Sequence, residues 1–236
     1  MEEGPNSSQI AEWLVAGGTI ALALVAAFQD TIRARLTRPK LGIRMINGQP
    51  DCQWVPMTRA DTGAFVADCV YLRVWVENRA GRFLSRSPAK NVEVYASRLR
   101  RQQANGTWSD VATFPPLNLR WSHIGGMYFP SIAPGMGKHC DIGHVIDPAV
   151  RGQVAGEDNP ALQLRNNETS IVFDLIVAPN HRGHIVGPGR YELDITVVAE
   201  NASPETWSIE INNSGQWYAD EARMLRDGIG VNAIRR

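Results

Sequence analysis

The stretch CVYLRVWVEN, residues 69–78, is the clearest secondary-structure signal in the chain. Its apolar and polar side chains alternate with the period of two that is typical of a half-buried β-strand. One face contains Val70, Leu72, Val74 and Val76, and the opposite face contains Tyr71, Arg73, Trp75 and Glu77. The pattern predicts a strand that buries its valine-rich face in a core.

Short alternating runs of the same kind recur along the chain. They lie at residues 41–46, 91–100, 117–121, 138–146, 170–177, 189–199 and 206–211. Residues 105–108, NGTW, are typical of a hairpin turn, and only residues 220–226 near the end of the chain indicate a short helix. Many short strands separated by turns predict a mainly β domain, built as an antiparallel β-sandwich.

Two segments also resemble a known class of domain. The run YLRVWVENRAGRFLSRSPAKNVEVYAS, residues 71–97, resembles the strand–turn–strand of immunoglobulin-like, CARDB-type sandwich modules. The matching residues are Val74, Val76, Asn78, Gly81, Ala89, Asn91, Val92 and Val94. The run HIVGPGRYELDITVVAEN, residues 184–201, is similar to the penultimate strand of such modules. The resemblance implies an immunoglobulin-like interaction or spacer module and supplies no catalytic residues.

A second kind of signal precedes the strands. Between Glu12 and Asp30 lie 17 residues without a charge, WLVAGGTIALALVAAFQ. As a helix they would measure about 26 Å, near the lower limit for a bilayer core of about 30 Å. A cleaved signal peptide would begin with basic residues, whereas this chain begins with acidic ones, and a buried core helix would need partner helices. The segment is therefore interpreted as a transmembrane helix at residues 10–29.

These signals divide the chain into four parts. Residues 1–9 form a short acidic tail, 10–29 the transmembrane helix, 30–40 a basic juxtamembrane linker, and 41–236 the β-sandwich domain. The linker contains Arg33, Arg35, Arg38 and Lys40, and no basic residue precedes it. This asymmetry predicts a single-pass protein of the cell membrane with a cytoplasmic C-terminal domain. Possible glycosylation sequons at Asn6, Asn105, Asn167, Asn201 and Asn212 leave the opposite orientation open.

The charge balance limits the classes of partner. The chain has 24 acidic and 24 basic side chains, so its formal net charge is zero, which argues against a nucleic-acid partner. Basic residues nevertheless cluster within and after the strand at residues 69–78, at Arg73, Arg79, Arg82, Arg86 and Lys90. They predict a basic face that binds an anionic membrane surface; the alternative is an ordinary solvated sheet face.

Two further groups are candidates for binding sites. Tyr128 and Phe129, in a segment rich in Gly and Pro, are candidates for a partner patch or for a cap on the sandwich. The densest cluster of metal-ligand types is His139, Cys140, Asp141 and His144, and His181 and His184 form a second. On a regular strand, His139 and Asp141 would face away from His144, so a shared metal site would require a bulge. No cofactor motif is found, and no cofactor is predicted.

The sequence thus favours a non-enzymatic interaction or assembly module, as a subunit or sensor of a larger membrane complex. Its expected partners are the lipid bilayer, through residues 10–29, and other protein subunits, including a second copy of the chain. The alternative is a membrane-anchored ligand-binding or metal-dependent enzyme that uses the region of His139, His144, His181 and His184.

Overall fold

The computed structural model describes residues 7–59, 61–82 and 84–235, so most of the acidic tail 1–9 lies outside it. Helix α1 covers Ser7–Leu36 and extends past both ends of the span predicted at residues 10–29. Its last turn contains Arg33 and Arg35. Residues Ile10–Leu36 are long and apolar enough to cross a membrane, with a mean hydropathy of 1.9 over their most apolar window and none of it buried. The helix therefore exposes its apolar surface on all sides.

The strands, numbered in chain order, form two sheets. The first sheet contains β1 (Leu41–Arg44), β2 (Cys52–Thr58), β3 (Phe65–Asn78), β7 (Arg120–Trp121), β9 (Gly137–Ile146), β10 (Ile171–Phe173) and β11 (Ile185–Val186). Strand β3 pairs with β1 and β2 on one side and with β9 on the other, and the sheet continues from β9 through β10 to β11. Strand β7 also pairs with β9.

The second sheet contains β4 (Ala89–Gln102), β5 (Trp108–Asp110), β6 (Leu117–Asn118), β8 (Tyr128–Ile132), β12 (Gly189–Val198), β13 (Glu205–Asn213) and β14 (Ile229–Arg235). Its order is β14-β13-β12-β4-β5, and β6 and β8 also pair with β4. Every pairing between these strands is antiparallel. Because β3 and β4 belong to different sheets, the connection between them crosses one end of the domain.

One hydrophobic core joins the two sheets. The residues of β3 that were predicted to face inward, Val70, Leu72, Val74 and Val76, are completely buried. Leu193, Ile195 and Val197 of β12 are also completely buried and belong to the same core. At about 1.5–3 kcal/mol for each fully buried aliphatic side chain, this alternation is a major contribution to stability. The prediction of a mainly β protein with two antiparallel sheets and an N-terminal apolar helix is confirmed.

Several elements were not predicted. Strands β2 and β8 contain Pro56 and Pro130, and both lie at sheet edges, where a missing backbone N–H is tolerated. Residues 147–169 contain 3₁₀ turns at Arg151–Gln153 and Pro160–Leu162. The helical signal at 220–226 corresponds to α2 (Glu221–Arg223), which continues into a π-helical turn at Met224–Gly228. The turn at 105–108 joins β4 to β5 as predicted, and the Asn105 Oδ1 accepts a hydrogen bond from the Thr107 N–H.

Candidate functional site

The segment that follows helix α1 is hydrogen-bonded to one end of the sandwich, here called the junction end and defined as residues 37–40, the loop residues 79–82 and 84–88, and the turn 133–136. The Ser87 N–H donates to the Thr37 carbonyl at 2.6 Å, and the Thr37 and Ser87 hydroxyls are 3.1 Å apart. The Arg86 Nη1 donates to the Arg38 carbonyl at 2.9 Å. The segment that follows the helix is therefore attached to the domain through both backbone and side-chain groups.

Asn78, the last residue of β3, connects the parts of the junction end. Its side chain is completely buried. The Asn78 Nδ2 donates to the Ser87 and Ile132 carbonyls, and its Oδ1 accepts from the Lys40 N–H. Its backbone N–H donates to the Met136 carbonyl, and its own carbonyl accepts from Gly135. One asparagine thus joins the linker after α1, the loop, the turn and the end of β8.

Most of the predicted basic residues lie at this end. Arg33, Arg35, Arg38, Lys40, Arg82 and Lys90 are exposed, and Arg79 and Arg86 are half-buried. Glu77 is 3.2 Å from Arg79 and offsets one of these charges. Basic side chains therefore outnumber acidic ones around the point where α1 ends, and such an arrangement attracts anionic surfaces.

Exposed apolar side chains lie among these charges. Leu84, in the loop, is 55% exposed, and Met136, in the turn, is 57% exposed. The loop is tight, because a Cβ on Gly81 would overlap the carbonyl oxygen of Leu84. Basic residues interspersed with exposed apolar ones are typical of surfaces that contact a bilayer interface.

Arg73 does not share this surface. It lies on the outer face of the first sheet, defined as the side of β3 and β9 that points away from the core, and it pairs in register with Asp141. The register between β3 and β9 shifts between Leu72 and Arg73, which leaves Ile142 as an extra residue. The shift is the bulge that a shared face requires, and it places His139, Asp141 and His144 on this same face.

His144 is the centre of a buried charged network on the outer face. Its Nδ1 lies 3.1 Å from both carboxylate oxygens of Asp174, and its Nε2 lies 3.0 Å from the Glu157 Oε2. Burial lowers the pKa of His144, but the two carboxylates outweigh burial and raise it to about 10. His144 is therefore a cation at neutral pH and donates from both ring nitrogens. Glu157 belongs to the segment 147–169 between β9 and β10, so the network attaches that segment to the sheet.

Asp141 is the second charged group on this face. The Ser122 hydroxyl donates to its Oδ1 at 2.6 Å. Burial raises the pKa of Asp141, while Ser122, Arg73 and Arg120 act in the opposite direction. Two nitrogens of the Arg73 guanidinium, Nε and Nη2, are buried without a hydrogen-bond partner within the described residues.

The remaining histidines have separate partners. The His139 Nε2 is 2.8 Å from the Oδ1 of the buried Asp51. His181 is exposed, and its Nδ1 accepts from the Gly183 N–H. His184 is buried, and burial lowers its pKa. Across residues 7–59, 61–82 and 84–235, no three His, Cys, Asp or Glu side chains are grouped so that they hold a metal ion. Within the described part of the chain, the histidines thus have separate partners and form no ligand set.

The predicted partner patch divides into an exposed and a packed residue. Tyr128 is 51% exposed. Phe129 is half-buried, and the centre of its ring is 5.4 Å from that of Trp121. The Lys138 Nζ lies over the Phe129 ring, also 5.4 Å from its centre. Ile124 and Met127, in the preceding segment, are also exposed. Of the two predicted residues, only Tyr128 is therefore exposed; together with Ile124 and Met127 it is named below the 124–128 patch.

Comparison with protein-family models, with curated proteins and with solved structures found no match to this chain. The site must therefore be understood from its own residues. Sequence reasoning missed the structural roles of Asn78, Glu157 and Asp174. The sequence contained a signal for Asn78, because this residue is the asparagine of the segment that resembles immunoglobulin-like modules. No local pattern links His144 to the carboxylates of Glu157 and Asp174, which lie 13 and 30 residues away in the sequence.

Proposed function

We propose that this chain is a single-pass membrane protein whose helix α1 crosses the cell membrane. The support is the surface of α1: residues Ile10–Leu36 are long and apolar enough to cross a membrane, and none of their most apolar window is buried against the domain. About 20 apolar residues are enough to cross the hydrocarbon core of a bilayer. Insertion into a lipid bilayer would remove this apolar surface from water.

The proposed orientation places the sandwich in the cytoplasm. Arg33, Arg35, Arg38 and Lys40 follow the span, and no basic residue occurs in residues 1–32. Basic residues are retained preferentially on the cytoplasmic side. Two of the sequons also have structural uses, because the Asn105 side chain caps its hairpin turn and the Asn201 Nδ2 donates to the Pro88 carbonyl. These bonds account for asparagine at both positions without glycosylation.

We further propose that the sandwich is immunoglobulin-like, of the CARDB type, and acts by binding rather than by catalysis. The charged groups of the outer face support this proposal, since His144, Asp174 and Glu157 bind one another and His139 binds Asp51. These contacts fix the fold of the outer face. The domain would then act through its exposed surface, as an assembly subunit or sensor in a larger membrane complex.

The 124–128 patch is the proposed contact with another protein subunit. Ile124, Met127 and Tyr128 are 49%, 47% and 51% exposed. Ile124 and Met127 lie on the connection between β7 of the first sheet and β8 of the second, and Tyr128 is the first residue of β8. Exposed apolar residues that are grouped together mark protein-binding surfaces more often than isolated ones do.

The observation that supports this function most strongly is the hydrogen-bonded junction between α1 and the domain. A flexible linker would let the domain rotate freely about its anchor. Here Asn78, Arg86 and Ser87 hold residues 37–40 in place. A fixed attachment presents the same faces of the domain to neighbouring membrane proteins, as assembly requires.

The test is photo-crosslinking in native membranes. A photoreactive amino acid replaces Met127 in the full chain, and the matched control places it at Ala104, in the exposed β4–β5 turn. We expect a discrete crosslinked product from position 127, with a second copy or another membrane protein, and its loss in the variant Tyr128→Asp. Equal crosslinking from positions 127 and 104 would contradict the proposed contact.

A further inference from the structure

An open pocket of about 430 Å³, referred to below as the cavity, lies where α1 meets the sandwich. Its walls come from both elements, and its lining residues are Thr31, Ala34, Arg35, Arg38, Pro39, Ser87, Glu200 and Asn201. The domain side of the cavity is fixed by hydrogen bonds. The Glu200 N–H donates to the Lys90 carbonyl, and the Lys90 N–H donates to the Asn201 Oδ1.

An apolar groove of about 510 Å³ continues from this cavity along α1. It is lined by Leu24, Val25, Phe28, Thr31, Ile32 and Arg35. Thr31 and Arg35 line both spaces. Because these two residues belong to both linings, the apolar groove and the cavity form one continuous surface.

The cavity contains charges of both signs. Arg35 and Arg38 are exposed cations, and neither guanidinium forms an ion pair with any described residue. Glu200 supplies a carboxylate on the domain side, where its Oε2 accepts a hydrogen bond from the Asn91 Nδ2 at 3.0 Å. A ligand that matches this site has an anionic group for the arginines, a cationic group for Glu200 and an apolar chain for the groove.

We propose that this surface binds one phospholipid whose headgroup contains both a phosphate and a primary ammonium group, as in phosphatidylethanolamine. The phosphate binds Arg35 and Arg38, the ammonium faces Glu200, and an acyl chain lies against Leu24, Val25 and Phe28. Guanidinium groups bind phosphate through charge-assisted hydrogen bonds. A headgroup without the ammonium leaves Glu200 facing an anion, and free phosphate leaves the groove empty. The inference depends on the proposed insertion of α1 into the bilayer.

The experiment is native mass spectrometry of the full chain, released from detergent with added phosphatidylethanolamine, phosphatidylglycerol or inorganic phosphate. We expect wild-type protein to retain phosphatidylethanolamine at about tenfold lower concentration than the double variant Arg35→Gln, Arg38→Gln. The variant Glu200→Gln should lose the preference for phosphatidylethanolamine over phosphatidylglycerol. The control Arg165→Gln, an exposed arginine outside the cavity, should behave as wild type.

Three outcomes would overturn the assignment. The first is that the arginine double variant retains lipid as well as Arg165→Gln does. The second is that Glu200→Gln leaves the lipid preference unchanged, and the third is that inorganic phosphate displaces the lipid. Flotation of the same proteins with liposomes separates this result from the proposed function. If all variants float, the anchor is intact and only the lipid site is in question; if wild-type protein does not float, the membrane anchor itself is wrong.

Discussion

The junction end and the outer face of the first sheet use charged residues in opposite ways. On the outer face, His144 is buried between Asp174 and Glu157, and His139 is paired with Asp51. At the junction end, Arg35, Arg38 and Lys40 are exposed in a region with few acidic residues. Paired and buried charges determine structure, whereas exposed charges of one sign remain available to a ligand or a surface. Substitutions in the two regions should therefore affect different properties.

The largest effect is expected on the outer face. The variant His144→Leu leaves the carboxylates of Asp174 and Glu157 buried without their cation, which costs about 3–5 kcal/mol of unfolding free energy. The matched control, His181→Leu, removes an exposed histidine and should change the free energy by less than about 0.5 kcal/mol. Chemical denaturation of the full chain in detergent measures both. Similar values for the two variants would show that the network does not stabilise the fold.

The same network predicts a dependence of stability on pH. The pKa of His144 is raised from 6.5 to about 10 in the folded protein, so protonation of His144 stabilises the folded state fully below pH 6.5. That contribution is lost as the pH rises from 6.5 to about 10, with a slope of up to about 1.4 kcal/mol per pH unit. Denaturation curves across this range should show the decline in wild-type protein. His144→Leu should lack it, and an equal decline in both proteins would assign the effect to other groups.

A smaller loss of stability is expected at the junction. The variant Asn78→Ala removes the buried side chain that binds Lys40, Ser87 and Ile132, at a cost of about 1–3 kcal/mol. Hydrogen exchange should accelerate at residues 37–40 and 79–88 more than in the strands. Asn166→Ala, at an exposed position, is the control. Unchanged exchange at residues 37–40 would mean that Asn78 does not hold the linker to the domain.

The smallest effect on stability, but a clear effect on membrane contact, is expected from the exposed charges. The double variant Arg33→Gln, Lys40→Gln should change the unfolding free energy by less than about 0.5 kcal/mol. Each removed charge should weaken contact with an anionic bilayer by about 1 kcal/mol. An environment-sensitive fluorophore on Met136→Cys, in vesicles with anionic lipid, reports that contact through a blue shift. The shift should decrease in the double variant and be absent for a fluorophore on Ala104→Cys; a shift that does not depend on Arg33 and Lys40 would contradict a charge-driven contact.

The sequence predicted the parts of the fold that follow from local periodicity. The alternation in residues 69–78 predicted the buried face of β3, and the uncharged segment after Glu12 predicted the apolar helix. Strand β2 was missed because Pro56 and the preceding turn residues obscure its alternation, although an edge strand tolerates proline. The alternation of apolar and polar residues predicts which side of a strand is buried, but it does not predict which strands lie at the edge of a sheet.

The candidate site was predictable only where its residues are adjacent in sequence. The basic residues from 33 to 40 were identified because they follow one another. Arg73 was grouped with Arg79 and Lys90, but it lies within β3 on the outer face, opposite Asp141, whereas Arg79 follows the end of β3 and Lys90 belongs to β4 of the other sheet. The cavity between Arg35 and Glu200 joins positions 165 residues apart, and only the tertiary fold brings them together.

We propose that α1 crosses a membrane with the sandwich on the cytoplasmic side. Thiol labelling measures this directly, because Cys52, Cys69 and Cys140 are buried, and burial raises the pKa of each thiol. A membrane-impermeant maleimide should label Ser8→Cys in intact cells, and should label Ala104→Cys only after the cells are permeabilised. Labelling of Ala104→Cys in intact cells, or equal protection of both positions, would contradict the account.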